Sequence, residues 1–285
     1  MHFADRLAEN IQNKKSVLCV GLDPHFHLLP EIVTRGRTET EAILFFLSEI
    51  LEAVAPFTAV VKPNTAFFEC WGAEGWRVLE QISEKAKQMD LLVIADAKRG
   101  DIGSTAKAYA EAFLGKNRPF DALTVNPYLG QDGILPFAET AEQNGKGIFV
   151  LVKTSNTSAG EFQDLPVGDC LLHEEVARSV ARIGSTSLGE CGFSSVGAVV
   201  GATHSDDLHT LRSEMPSQIF LVPGYGAQGG SAADVASALY FNGQGAIINS
   251  SRGILFASSG IDFAEAAAKS AEKAQQELFT IAWKS

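Results

Sequence analysis

Apolar positions along this chain follow two alternating rhythms. Residues 16–22, 58–61, 91–94, 122–125, 147–152, 196–200, 218–222 and 246–248 are short runs, apolar almost without interruption. Such runs are the mark of strands buried on both faces. Between them, apolar residues recur at three- and four-residue intervals, as on a helix with one buried stripe. Phe3, Leu7 and Ile11 predict a helix over 3–13, and Ile43, Phe46, Leu47, Ile50 and Leu51 one over 38–54. Further helices are predicted over 74–87, 104–114, 169–182 and 264–278, the last rich in alanine. Residues 24–37 and 156–168 are polar and read as irregular.

Eight strand-then-helix units count out a (β/α)8 barrel, an α/β fold with a parallel sheet covered by helices. A doubly wound open sheet is the structural alternative. The chain has 285 residues, which suits one barrel of ~250 residues with loop insertions. No break in composition divides it, so residues 1–285 are expected to form a single domain.

Charge and cysteine content narrow the function classes. The net charge is −11, which argues against nucleic acid as a partner but leaves room for one local basic pocket. Cys19, Cys70, Cys170 and Cys191 form no C-x-x-C pair, which fits reduced thiols in a cytoplasmic protein. Cys19 lies within an apolar strand and reads as a small buried hydrophobe. The first residues lack a basic segment followed by an apolar core, so no signal peptide is expected, and no membrane span either.

The catalytic end of such a barrel is the C-terminal end of its strands. There the sequence places Asp23 after strand one, Lys62 after strand two, Asp96, Lys98 and Asp101 after strand three, and Ser155 after strand five. Alternation along an extended chain sends Asp96 and Lys98 to the same side, with Asp101 arriving after the turn. An ion-pair network that merely neutralises itself is the structural alternative. Buried charges stabilise poorly beside packed apolar groups, however, so a cluster at this end points to catalysis. The loops after strands seven and eight carry Pro223-Gly224-Tyr225-Gly226 and Asn249-Ser250-Ser251-Arg252-Gly253. Glycines admit an anion close to backbone N–H groups and Arg252 adds a planar donor fork, which predicts a phosphorylated small-molecule ligand. His25 and His27 read as surface residues and His204 as a strand-end hydrogen-bonding group. No Cys/His cluster has zinc spacing, and no Walker-type loop is present.

The segment Asp96-Ala97-Lys98-Arg99-Gly100-Asp101-Ile102-Gly103 resembles the Asp-x-Lys-x-x-Asp-Ile signature of the orotidine 5′-phosphate decarboxylases, and most closely their longer bacterial subgroup. Gly21-Leu22-Asp23, Val61-Lys62-Pro63-Asn64, Lys153-Thr154-Ser155-Asn156, Gly201-Ala202-Thr203 and Pro223 to Gly230 fall in the order that resemblance requires. It implies loss of CO2 from orotidine 5′-monophosphate (OMP) to give uridine 5′-monophosphate (UMP), the last step of de novo UMP synthesis, with no metal or organic cofactor. It implies that Lys62, Asp96, Lys98 and Asp101 form an alternating charge array, in which Lys98 protonates C6 and Asp96 faces the departing carboxylate. Asp23 and Lys62 would hold ribose hydroxyls, Ser155 the pyrimidine, and Gly226, Gln228 and Arg252 the phosphate. Asp101, Ile102 and Thr105 would reach across the interface of a homodimer into the neighbouring site. Relative to compact members of the family, the chain carries extra residues around 26–40 and 161–193.

Two rival readings remain at this level. Related sugar-phosphate lyases and decarboxylases share the Asp-x-Lys-x-x-Asp signature but use Mg2+, for which they place a glutamate at strand two. Lys62 stands there in this chain, and an ammonium repels a divalent cation. A non-catalytic nucleotide-phosphate-binding module is the other rival, and the complete Lys/Asp array speaks against it.

Overall fold

The computed structural model describes residues 1–201, 205–225 and 232–283. Its barrel strands are β1 (Leu18–Leu22), β2 (Val60–Pro63), β3 (Leu92–Arg99), β4 (Ala122–Val125), β5 (Gly147–Lys153), β6 (Val196–Val200), β7 (Phe220–Val222) and β8 (Ala246–Ser250). All are parallel, and they close in the order β1-β8-β7-β6-β5-β4-β3-β2. Leu18 beside Ile248 and Val20 beside Ser250 seal the ring, so the fold is a (β/α)8 barrel and the open sheet is ruled out. Every residue of β1, β2, β4, β6, β7 and β8 is buried, which is why these strands show no polar alternation.

The first helix, Phe3–Lys14, floors the barrel below the strand starts. Phe3 packs edge-on against Phe149 at 6.0 Å. A Cβ at residue 147 would stand 2.3 Å from the Phe3 ring, so the first residue of β5 has to be glycine. Arg6 Nη1 pairs with Asp121 Oδ1 at 2.6 Å, and Asp121 Oδ2 accepts the Val93 N–H at 3.0 Å. The helix Glu39–Val54 opens on a capping box: Thr38 Oγ1 accepts from the Glu41 amide, and Glu41 Oε2 from the Thr38 amide. Its stripe Ile43, Phe46, Leu47, Ile50 and Leu51 is buried, as the periodicity predicts.

Departures from the predicted elements have local causes. The helix Gln131–Gln143 is hidden in the sequence by Gly133 and Pro136 within it and by Gly130 just before it. Residues 156–168 are not irregular throughout: they hold a short helix, Gly160–Gln163, and the first strand of a ribbon. That ribbon pairs Pro166–Val167 antiparallel with Cys170–Leu171 around Gly168, whose φ is +62°. The following helix therefore runs Leu172–Gly184 rather than from residue 169. Residues 24–37 likewise contain a 3-10 turn, Phe26–Leu28, and a short helix, Glu31–Thr34. The closing helix extends over Phe263–Trp283.

Candidate active site

The site is built where β2, β3 and β4 end. Lys62 and Asp96 are buried, and Lys62 Nζ lies 2.8 Å from Asp96 Oδ2. Lys98 Nζ lies 2.5 Å from Asp96 Oδ1, with about half of its side chain exposed. One carboxylate thus holds two ammoniums, one deep and one facing the mouth. Thr124 Oγ1 donates to Asp96 Oδ1 at 3.0 Å and accepts the Lys98 backbone N–H at 2.9 Å.

The backbone of β3 is irregular at this point. Its register with β4 pairs Ala95 with Leu123 and then Arg99 with Val125. Bulges of this kind re-aim side chains near active sites. Lys98 has φ +47°, a left-handed conformation that costs a lysine of the order of 1 kcal/mol or more. The alternation argument placed Asp96 and Lys98 on one side and they do meet, but through this bulge rather than through regular strand geometry.

Electrostatics keep Asp96 and Lys62 ionised. Burial disfavours the charge on Asp96, but the ammoniums of Lys62 and Lys98 outweigh it and hold its carboxyl well below the usual range. Burial likewise disfavours a charged Lys62, yet Asp96 and Asp23 raise it above the ordinary lysine value. Cys19, beneath them, has its thiol pushed up to about 12 by burial and is inert as a nucleophile.

At the neighbouring strand ends, Asp23 follows β1, and its Oδ1 is buried without a hydrogen-bond partner among the described residues. A Cβ at residue 21 would meet Ser251 Oγ at 1.8 Å, so glycine there lets the ends of β1 and β8 close on each other. Arg252 is exposed at the start of the short helix Arg252–Leu255, directly after β8. Across the mouth, β5 ends in Lys153, which is buried and ion-paired with Asp164. Gln163 holds both the Thr154 amide (2.9 Å) and the Thr154 hydroxyl (2.8 Å), immediately before Ser155. A cavity of about 490 Å3 opens between these ends; Lys62, Asp96, Lys98, Thr124, Ser155 and Gln163 are among its lining residues. That volume suits a small-molecule ligand.

The structure therefore brings Lys62, Asp96, Lys98 and Ser155 to one cavity, with Asp23 near Lys62. It does not bring Asp101 into the same cluster. Asp101 Oδ1 accepts the Ile102 N–H at 2.7 Å, and no ion pair to Asp101 exists among the described residues. Ile102 and Thr105 are exposed beside it, at the start of the helix Gly103–Leu114. Gly226, Gln228 and His204 lie outside the described residues. His27 is exposed, whereas His25 is partly buried and packs on Phe67 at 4.5 Å, a correction to its reading as a surface residue. The sequence reading missed Thr124, whose one visible signal was a hydroxyl near the end of an otherwise apolar strand.

This closed (β/α)8 barrel carries a Lys-Asp-Lys ion chain at its strand ends, the end at which barrel enzymes hold their active sites. The comparisons make the family specific. Residues 16–269 match the model of the orotidine 5′-phosphate decarboxylase / HUMPS family, and the chain belongs to that family. It is 47% identical over 268 residues to the orotidine 5′-phosphate decarboxylase of Rhodopirellula baltica, covering 90% of this chain and 89% of that protein. It is 43% identical over 274 residues to that of Caldicellulosiruptor bescii, covering 90% of each. The solved structure of Leishmania donovani OMP decarboxylase superposes with a TM-score of 0.77 at 36% identity, covering 98% of this chain and 99% of that one.

Proposed function

We propose that this chain, acting as one unit over residues 1–285, decarboxylates OMP to UMP and CO2, the last step of UMP biosynthesis. The observation that carries the reading is the Lys62–Asp96–Lys98 chain set in a ligand-sized cavity at the strand ends. In the reaction the bond from C6 to the carboxylate breaks, CO2 departs and the electron pair stays on C6. Lys98 stabilises that developing carbanion with its fixed ammonium and then donates the proton that forms the C6–H bond. The half-exposed Lys98 amine regains its proton from solvent. Asp96 holds the Lys98 ammonium by an ion pair and faces the departing carboxylate.

The other roles are those the family resemblance implies. Asp23 offers a buried oxygen that lacks a donor among the described residues, and with Lys62 it binds ribose hydroxyls. Ser155 contacts the pyrimidine. Arg252, with Gly226 and Gln228, holds the phosphate, whose remote binding energy helps organise the charged site. Asp101, Ile102 and Thr105 serve the neighbouring site of a homodimer. The surface around them supports this. Ile102, Tyr109, Tyr128, Leu129 and Leu135 are all exposed, Tyr128 at 87%, on or just before the helices Gly103–Leu114 and Gln131–Gln143, which pack together. Exposed apolar side chains on this face support an interface there. A cytoplasmic location is the one we assign, as fits an enzyme of UMP biosynthesis; among the described residues no helix is long and apolar enough to cross a membrane.

The test is product analysis with EDTA present. UMP and CO2 should appear in equal amounts from OMP at an undiminished rate. Activity lost in EDTA and restored by Mg2+ would favour the metal-dependent sugar-phosphate enzymes instead.

A further inference from the structure

Between Ala95 and Arg99, β3 carries three residues, Asp96, Ala97 and Lys98, opposite one residue of β4, Thr124. The regular ladder is therefore interrupted at Asp96 and Lys98, two of the three residues of the charge chain. A backbone N–H left without a ladder partner in such a place has to find another acceptor. For Lys98 that acceptor is Thr124 Oγ1, at 2.9 Å. The same hydroxyl donates its only proton to Asp96 Oδ1, at 3.0 Å. Ionised Asp96 only accepts, and an amide nitrogen only donates, so the direction of both bonds is fixed. Thr124 is buried, its one hydroxyl proton committed to Asp96, and its strand is continuous with the barrel through pairing to β5.

We propose that Thr124 is a positioning residue for the decarboxylation, a step that rests on the functional reading above. Its hydroxyl ties the left-handed backbone of Lys98 and the carboxylate of Asp96 to one rigid point on β4. The Lys98 ammonium then meets C6 from a fixed direction. Without that tie, the bulge is free to relax toward regular strand conformation, and Lys98 Nζ moves off its line to C6. Substrate binding through the phosphate is untouched, since its proposed contacts lie on the loops after β7 and β8, away from the bulge.

The experiment compares Thr124→Val, which keeps the shape but removes the hydroxyl, with Thr124→Ser, which restores it. Thr124→Val should lose ten- to hundredfold in kcat, with KM for OMP and affinity for UMP within about threefold of the wild type. Thr124→Ser should recover most of the turnover. A merely structural role would lower the folded fraction and leave kcat per folded molecule unchanged. Wild-type kcat in Thr124→Val, or a loss confined to KM, overturns the proposal. Should Thr124→Val not fold, Thr124→Ala set against Thr124→Ser makes the same comparison, and equal kcat in those two overturns it. A wild-type protein inert toward OMP sinks the functional reading itself, whereas an active wild type with an equally active Thr124→Val sinks only the role of Thr124.

Discussion

Asp96 shares one buried carboxylate between two ammoniums, and much of the site's behaviour with pH follows from that. Its pKa in the folded protein lies below the value of about 3.9 it has in the unfolded chain. The stabilisation it supplies is therefore complete above that unfolded value and is lost as pH falls below it. Asp96→Asn leaves Lys62 charged, buried and without its partner, which should cost roughly 3 kcal/mol at pH 7. Chemical denaturation across a pH series should show the gap between wild type and variant narrowing from about pH 5 toward pH 3. A gap that stays constant would contradict the ion-pair account. At this scale the sequence was informative wherever a charge ended an apolar strand, as at Lys62, Asp96 and Lys98. It was uninformative about Thr124, because the partner that gives that hydroxyl its task is a bulge on another strand. A single strand's pattern carries no signal of which of its neighbours will slip register.

The segment after β5 shows what an element's composition conceals. Its run of Ser, Thr, Asn and Gly reads as plain loop, yet three long-range contacts organise it. Lys153 pairs with Asp164, His173 Nδ1 lies 3.2 Å from the same carboxylate, and Gln163 reaches back to Thr154. Lys153 is 5% exposed in its side chain and has a more distant second carboxylate, Asp207, at 3.8 Å. Asp164→Asn should therefore cost about 1–2 kcal/mol, moderated because Asp164 itself is half exposed. It should also quicken proteolytic cleavage within residues 154–171 and raise KM for OMP several-fold by loosening the frame of Ser155. Unchanged proteolysis would mean the lashing to Lys153 does not hold the segment. The helices with clean periodicity, such as Glu39–Val54, were legible because their stripes and caps are local. The helix Gln131–Gln143 was not, because a proline within it breaks the local rule while Ile134, Phe137 and Ala141 still anchor its buried face.

For the whole molecule, the barrel was legible because closure needs only eight buried strands with helices between them, and each strand announces itself by its own composition. A site completed by a second chain is not visible in that way. One chain alone leaves Asp101 bonded to its neighbour's amide and away from Lys98, and an apolar patch beside it uncovered. The dimer reading makes a quantitative prediction from symmetry. If Asp101 serves the partner's Lys98, each hybrid of a Lys98→Ala chain with an Asp101→Ala chain has one intact site and one doubly damaged site. Random mixing of the two inactive variants should then restore about a quarter of wild-type activity. No recovery on mixing, with dimer exchange verified, would place Asp101 outside the neighbour's site. The central claim is that the charge chain at the strand ends removes CO2 from OMP, with Lys98 as the proton donor. Its most direct test follows the fall in ultraviolet absorbance as OMP becomes UMP, in EDTA, for wild type and Lys98→Ala side by side. The account predicts steady turnover by the wild type and none by Lys98→Ala, which still binds UMP. A silent wild type, or near-normal turnover by Lys98→Ala, would contradict it.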